Sequence, residues 1–510
     1  MQSNPTLEEV QSFSGKYPKQ LYLLFFTEMW ERFTFYGNRA LLILFMVNYL
    51  HFDDVKGNMI YGVYQSLIYA MPVVGGMLAD KILGQRRSII WGGILLAAGS
   101  FIMAIPYKES FFIGMGILIV GNGYFKPNIS TIVGSLYKPG DGRRDAGFSL
   151  FYMGINVGVM LGGLLCGWIG QQYNWHAGFG LAGVFMILGL TVFIKNKHIL
   201  GPIGLAPSEE NLRSKTPVGI SKEILIYLLS LLAVPVFIII LNYYKIYSYL
   251  INPFGIVALV YVIYTAGKLG KEAFSKIMVA LVLIIFSSLF WAFSEQGGGS
   301  LNLFAARNVS MNLLGIHLSS AAVNNSINGA LVVALSPVFA WLWIWLANRN
   351  KEPNAAVKFA LGLMQLGLGF YVFVIGAKFA EDGMVSLLFF ALGYVFMSSG
   401  ELCLSPIGLS AITKLSPQKM VGLMMGMWFL ASSYGQYLAG LIGSLMAIQG
   451  EAATGKPMAA TESLAIYTNI FTKIAWVSAG CGLVLLILSP WLKKKMKGIN
   501  KPSIEEGLLK

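Results

Sequence analysis

The chain predicts an all-α polytopic membrane protein, and three observations carry that reading. Of its 510 residues, 56% are hydrophobic and 12% charged, with a mean hydropathy of +0.66, a composition that cannot make a water-soluble surface. Apolar runs of about 20 residues, the length that spans a bilayer, recur about fourteen times. They begin near Leu21, Met59, Ser88, Phe111, Ala146, Ala177, Ile224, Gly255, Ile277, Ser326, Ala356, Val385, Gly422 and Tyr467. Lastly, basic residues alternate from loop to loop, as topology in a membrane demands.

Each element follows from that frame. Lys16 and Lys19 precede the first run; Lys81, Arg86 and Arg87 separate the second and third; Lys138, Arg143 and Arg144 separate the fourth and fifth; Lys493, Lys494, Lys495 and Lys497 follow the last. Short basic loops stay on the cytoplasmic side, so both termini are expected there. The intervening loops carry acids, such as Asp53, Asp54, Glu381 and Asp382. The residues before Leu21 are polar and the first run is too long for an h-region, so no cleaved signal peptide is expected. The net charge of +14 is accounted for by these loops and calls for no nucleic-acid partner.

The stretch His198 to Lys222, with Pro202, Pro207 and Pro217, reads as a linker. Six runs precede it; two more, about 224–241 and 255–266, follow before the final six. The expected organisation is an N-terminal six-helix bundle over 1–197, a linker with two additional helices over 198–270, a C-terminal six-helix bundle over 271–496, and a cytoplasmic tail over 497–510. No strong internal repeat accompanies it. Two bundles related by an axis along the membrane normal would hold a binding site at the midplane between them.

Cys166, Cys403 and Cys481 all lie in apolar runs, and His51, His176, His198 and His317 are scattered, so neither a disulfide, a metal centre nor a cofactor is expected. Gly114, Gly116, Gly121 and Gly123 imitate a dinucleotide loop, but no strand precedes them; close helix packing is the expectation. No Ser, His and Asp constellation suggests an enzyme.

Charges inside the runs are the functional signal. A charge near the bilayer centre costs at least ~2.5 to 3.5 kcal/mol, so such residues line watery paths and pair with each other. Glu28, Glu31, Arg32 and Arg39 lie in the first run and Lys126 in the fourth. Glu28, Glu31 and Arg32 fall at helical spacing on one face, where two carboxylates share one guanidinium and one of them is placed to exchange a proton. By depth, Arg39 and Glu295 can meet in the outer half, and Lys126 and Glu401 in the inner half. One opposed pair on each side of a central site is what alternating access requires.

At these residues a family resemblance enters. Glu28-x-x-Glu31-Arg32-Phe33-x-x-Tyr36-Gly37 resembles the helix-one signature of the proton-coupled oligopeptide transporter family, within the major facilitator superfamily. Gly76-x-x-Ala79-Asp80-x-x-x-Gly84-x-Arg86-Arg87 resembles the superfamily's loop motif, and Phe151-Tyr152-x-x-Ile155-Asn156-x-Gly158 the family's helix-five signature. Trp291-Ala292-x-x-Glu295-Gln296 and Gly400-Glu401-Leu402-x-x-Ser405-Pro406-x-Gly408 are similar to helices seven and ten.

The resemblance implies the major facilitator fold and proton-driven import of dipeptides and tripeptides across a bacterial inner membrane, with no oligomer required. It gives Arg39 and Lys126 to the peptide carboxylate and the gates, and Glu401 to the amino group. Tyr36, Tyr69, Asn156, Trp291, Asn328, Ser405 and Trp428 fall at positions that look like the family's pocket lining. Glu295 is the first choice of proton carrier and the Glu28, Glu31, Arg32 cluster the second. Asp80, Arg86 and Arg87 are expected to form a conformational latch outside the substrate site. Phe35 departs from the pattern, standing where many members carry a tyrosine, so a hydroxyl is missing beside Tyr36. The rival reading is a transporter of another small solute, such as nitrate, a sugar or a drug.

Overall fold

The computed structural model describes residues 5–138, 141–217, 219–313, 315–447 and 458–495; the expected tail over 497–510 lies outside the described residues. Fourteen long helices run through the described residues: α1 (Lys19–Leu44), α2 (Asp54–Leu78), α3 (Gln85–Met103), α4 (Lys108–Ser135), α5 (Arg143–Gln172), α6 (Trp175–Asn196), α7 (Lys222–Asn242), α8 (Tyr247–Lys268), α9 (Lys271–Ser294), α10 (Ser320–Asn348), α11 (Ala355–Lys378), α12 (Leu387–Leu415), α13 (Val421–Leu445) and α14 (Ala460–Lys495). Ten helical segments are long and apolar enough to cross a membrane. The four long helices outside those ten are α1, α3, α4 and α13; α1 and α4 carry the intramembrane charges noted above.

Element boundaries follow local chemistry that hydropathy does not see. α2 begins at Asp54 rather than near Met59, because the Asp53 carboxylate caps it by accepting from the Lys56 amide at 2.9 Å. α8 begins at Tyr247 rather than near Gly255, since Pro253 sits inside the helix instead of before it. Interior prolines are tolerated in spanning helices because neighbours satisfy the backbone groups they release. α9 ends at Ser294, and the chain makes a tight turn over Glu295–Gly298 before a second helical segment, Ser300–Asn308. Three consecutive glycines, Gly297 to Gly299, weaken the helix where Glu295 must be presented.

Small residues set the closest crossings. A Cβ on Gly162 of α5 would meet the Phe33 backbone of α1 at 2.9 Å, and one on Gly121 of α4 would meet the Gly92 oxygen of α3 at 3.0 Å. The glycines of α4 therefore serve packing, not phosphate binding. Two crossings join the first six helices to the last six. α2 lies on α13, where a Cβ on Gly62 would meet the Gly440 Cα at 2.6 Å; α5 lies on α10, where one on Gly167 would meet the Ala322 amide at 2.9 Å.

Polar contacts between these two sets gather toward one end of the molecule, where α1 and α5 finish and α2 and α10 begin. Midway along α2 and α13, Ser66 Oγ donates to the Ser433 oxygen at 2.7 Å and Ser433 Oγ to the Ser66 oxygen at 2.8 Å; the others lie nearer that end. Asn302 Nδ2 donates to the Ala40 oxygen at 2.9 Å, and Ser319 Oγ to Gln171 Oε1 at 2.6 Å. Arg307 grips Asp54 with both terminal nitrogens, at 2.6 and 3.0 Å.

The pair α7 and α8 bridges the sets. Trp91 of α3 stacks on Tyr227 of α7 and donates to Ser230 at 3.0 Å, while Tyr434 of α13 donates to Asn252 of α8 at 2.8 Å. The connection between α6 and α7 is strapped to the start of α3. Arg86 donates to the carbonyl oxygens of Ile203 and Gly201, at 2.6 and 2.5 Å; Arg87 makes a bidentate pair with Glu209 and a further contact with Glu223 at 3.2 Å.

Candidate functional site

A partly open cavity lies between the two sets of helices. Among its lining residues are Tyr36 and Arg39 from α1, Tyr69 from α2, Trp291 from α9, Asn328 from α10 and Glu401 from α12, with Glu295 at the turn after α9. All were singled out in the sequence. Others were not: Asn324, Asn325 and Tyr394 also line the cavity. Asn324 and Asn325 share a helix with Asn328 at spacings of four and three, so three amides within little more than one turn of an apolar helix were the available signal.

Arg39 and Glu295 form the only one of the two expected gate pairs that is closed among the described residues. Arg39 Nη2 reaches Glu295 Oε2 at 2.5 Å, both side chains largely buried. The guanidinium also lies over the Tyr36 ring at 5.3 Å from its centroid and donates from Nε to the Tyr61 hydroxyl at 2.8 Å. A charge-assisted hydrogen bond in this setting is among the strongest polar contacts available. Gly298 admits it: a Cβ there would meet Arg39 Nε at 2.5 Å and collide with the Tyr61 hydroxyl.

The inner pair is not formed. Lys126 Nζ sits 3.9 Å from the Tyr69 ring centroid, a cation–π contact. Glu401 accepts from Asn328 Nδ2 at 3.1 Å instead. The reason is geometric, because the polar contacts joining the two sets cluster toward the opposite end, leaving α4 and α12 apart on this side.

Glu28, Glu31 and Arg32 do come together. Arg32 Nε lies 3.0 Å from Glu28 Oε1 and 2.5 Å from Glu31 Oε2, with all three side chains at 5% exposure or less. Asn122 of α4 adds a long donor contact to Glu31 Oε1 at 3.4 Å. These ion contacts lack hydrogen-bond geometry, and Glu28 Oε2 and Arg32 Nη2 are buried without a hydrogen-bond partner. Unlike the Arg39 pair, the two acids and the guanidinium belong to a single helix.

The remaining expected residues lie outside that lining set. Asn156 donates to the Tyr152 carbonyl at 2.9 Å, its own preceding turn. Ser405 Oγ is buried without a hydrogen-bond partner, and Trp428 is buried against Gly408. Asp80 accepts from Gln85 at 2.8 Å, so the loop motif acts on the α6–α7 connection through its two arginines. There Arg87, by its hydrogen bonds, holds the Glu209 carboxyl below the usual carboxylate range. No group of three or more His, Cys, Asp and Glu able to hold a metal occurs among the described residues.

Known proteins resemble the chain over nearly its whole length. The model of the POT family matches residues 86–458. Relatives include the Bacillus subtilis transporter YclF, itself uncharacterised, 36% identical over 494 residues that span 95% of this chain and 96% of that protein. Dipeptide and tripeptide permease B of Salmonella typhimurium is 32% identical over 494 residues, 96% of this chain and 98% of the permease. Among solved structures, a mutant of the peptide transporter POT in complex with alafosfalin superimposes with a TM-score of 0.82 at 36% identity, covering 96% of this chain and 99% of that one. A POT family transporter in complex with 5-aminolevulinic acid gives a TM-score of 0.80 at 29% identity, covering 96% and 100%.

Proposed function

The chain belongs to the POT family, and from that premise we propose that it is a proton-coupled symporter importing dipeptides and tripeptides by alternating access. It is a membrane transporter with the major facilitator fold, not an enzyme. The observation that carries the mechanism is the Arg39–Glu295 contact, which spans the two sets of helices at the edge of the cavity while Lys126 and Glu401 stay apart.

In this reading the chain lies in a bacterial inner membrane with both termini cytoplasmic, and the moving bodies are the bundles 1–197 and 271–496, with 198–270 between them. The end closed by Arg39, Glu295, Asp54 and Arg307 is the outer one. The cavity then faces inward, with the outer latch shut and the inner latch released.

A zwitterionic peptide needs a cation and an anion a peptide's length apart, amides for its backbone, and aromatic walls for varied side chains. Lys126 and Arg39 supply the cations for the carboxylate, Glu401 takes the amino group, and Asn156, Asn328 and Ser405 serve the backbone. Tyr36, Tyr69, Trp291 and Trp428 form the walls. Protonation of Glu295 removes the charge that Arg39 pairs with, so the outer latch opens; peptide and proton then enter, and closure of Arg39 on Glu295 accompanies release of Lys126 from Glu401 on the inner side. The Glu28, Glu31, Arg32 cluster stands as second candidate for the proton. Entry of one positive charge gains ~2.3 kcal/mol per 100 mV of membrane potential, enough to concentrate a neutral zwitterion about fiftyfold.

The test is uptake of labelled dialanine into proteoliposomes under an inside-alkaline, inside-negative gradient. Accumulation above equilibrium that collapses with a protonophore is the expected result. Absence of accumulation, or competition by nitrate or glycosides in place of dipeptides, would refute it.

A further inference from the structure

We propose that Tyr61, with Gln65 one turn further along α2, is a positioning residue that sets how acidic the outer side must become before Arg39 leaves Glu295. The inference rests on the reading just given, in which that pair is the outer latch.

Tyr61 is 2% exposed and sits on α2, a helix that supplies neither member of the ion pair. Arg39 meets it through Nε at 2.8 Å, while a different nitrogen, Nη2, meets Glu295. The guanidinium is thus held from two directions. Neutralising Glu295 removes one of them and leaves the other, so Arg39 does not swing free when the carboxylate gains its proton. Gly298 shows how tightly the node is built, since a single added carbon at that position would collide with the Tyr61 hydroxyl.

Gln65 gives the node its second state. Its Nε2 donates to the same Tyr61 oxygen at 3.1 Å, and its Oε1 is buried without a partner. A half-turn of the amide would offer that oxygen to the Tyr61 proton. The hydroxyl is therefore satisfied whether Arg39 is present or gone. An unpartnered buried hydroxyl is costly, so Gln65 lowers the cost of the released state. The charged or titratable groups facing the node are Arg39 and Tyr36 from α1, Tyr64 and Tyr69 from α2, Lys126 from α4, Glu295 from the turn after α9, and Tyr394 and Glu401 from α12. None of the tyrosines carries charge at neutral pH, and of the two carboxylates Glu295 is the one Arg39 grips while Glu401 accepts from Asn328, so Glu295 is the group whose protonation the node resists.

Two substitutions follow with opposite signs. Tyr61→Phe removes the second hold on Arg39, so release occurs with less acid and the midpoint moves up by about one pH unit, the shift a tenfold change in the release equilibrium produces. Gln65→Leu strands the hydroxyl once Arg39 departs, so the midpoint moves down. The experiment measures dialanine uptake against external pH in proteoliposomes and, independently, the distance between spin labels at Val55→Cys and Leu313→Cys against pH in lipid nanodiscs. Opposite displacements of the two variants in both readouts are expected. Identical midpoints, or displacement of both in one direction, would overturn the inference. A wild-type protein that widens with acid but takes up no peptide would refute the transport reading while leaving the node tested.

Discussion

Two arginine–glutamate groups on α1, less than two turns apart, behave as opposites. Arg32 holds Glu28 and Glu31 of its own helix; Arg39 holds Glu295 from the other half of the chain. Both are buried, and both assemble charges that lipid would reject. A pair within one helix keeps its distance whatever the bundles do, whereas a pair between bundles breaks when they separate. What distinguishes a latch from a fixed polar core is therefore which bodies its members ride on. Strength of pairing does not decide it.

The comparison breaks most visibly at Glu295. Glu295→Gln should abolish proton-driven dialanine accumulation while sparing counterflow, because the latch can no longer read the proton; retained pH-driven uptake would move the carrier role to the α1 cluster. Next comes Glu31→Gln, which leaves Arg32 short of a buried partner. Breaking a buried pair costs ~3 to 5 kcal/mol, so a fall in melting temperature in detergent should dominate over any change in coupling. A variant that melts normally yet has lost its pH dependence would make the cluster a proton site after all.

A smaller effect is expected at Asp54 and Arg307, whose bidentate contact closes the same end as Arg39 and Glu295. Asp54→Arg alone should slow transport through charge repulsion, and adding Arg307→Asp should restore the rate; failure of the double variant to recover would remove this contact from the gate.

The smallest effect belongs to the solvent-exposed strap. Arg87 depresses the Glu209 carboxyl, so its contribution is present above the ordinary carboxylate range and lost as pH falls through the lowered value. Exposed pairs are worth ~0 to 1 kcal/mol, and Glu209→Gln should leave both melting temperature and uptake near wild type at neutral pH.

Most of the architecture was legible because a spanning helix announces itself by an apolar run, and the buried charges by contrast with it. Boundaries were less so: Asp53 caps α2 before its apolar run starts, and α8 begins at Tyr247, ahead of the run placed near Gly255, with Pro253 inside it. In the site, Arg39 and Glu295 could be matched by depth alone. Lys126 and Glu401 were matched by the same argument yet lie apart, since depth says which residues can meet and not which end is shut. Tyr61 and Tyr394 escaped notice because a lone phenol in an apolar helix looks like packing until its partner is seen, and Asn324 because its cluster with Asn325 and Asn328 was passed over. Asn324 receives a 2.6 Å hydrogen bond from Tyr394, a link between α10 and α12 that no spacing within one helix reveals.

The contact of Gly62 with Gly440 has a mechanical consequence. Backbone touches backbone there, with no side chain to act as a cushion, and the Ser66–Ser433 exchange pins the same neighbourhood. The helical path of α2 continues through Ala79–Leu83, so seventeen residues, roughly 25 Å at ~1.5 Å per residue, extend beyond Ser66 toward the other face. Over such a lever arm each degree of tilt about the crossing sweeps the far tip through roughly 0.4 Å. Small tilts at the fulcrum thus become travel of ångströms at the far face.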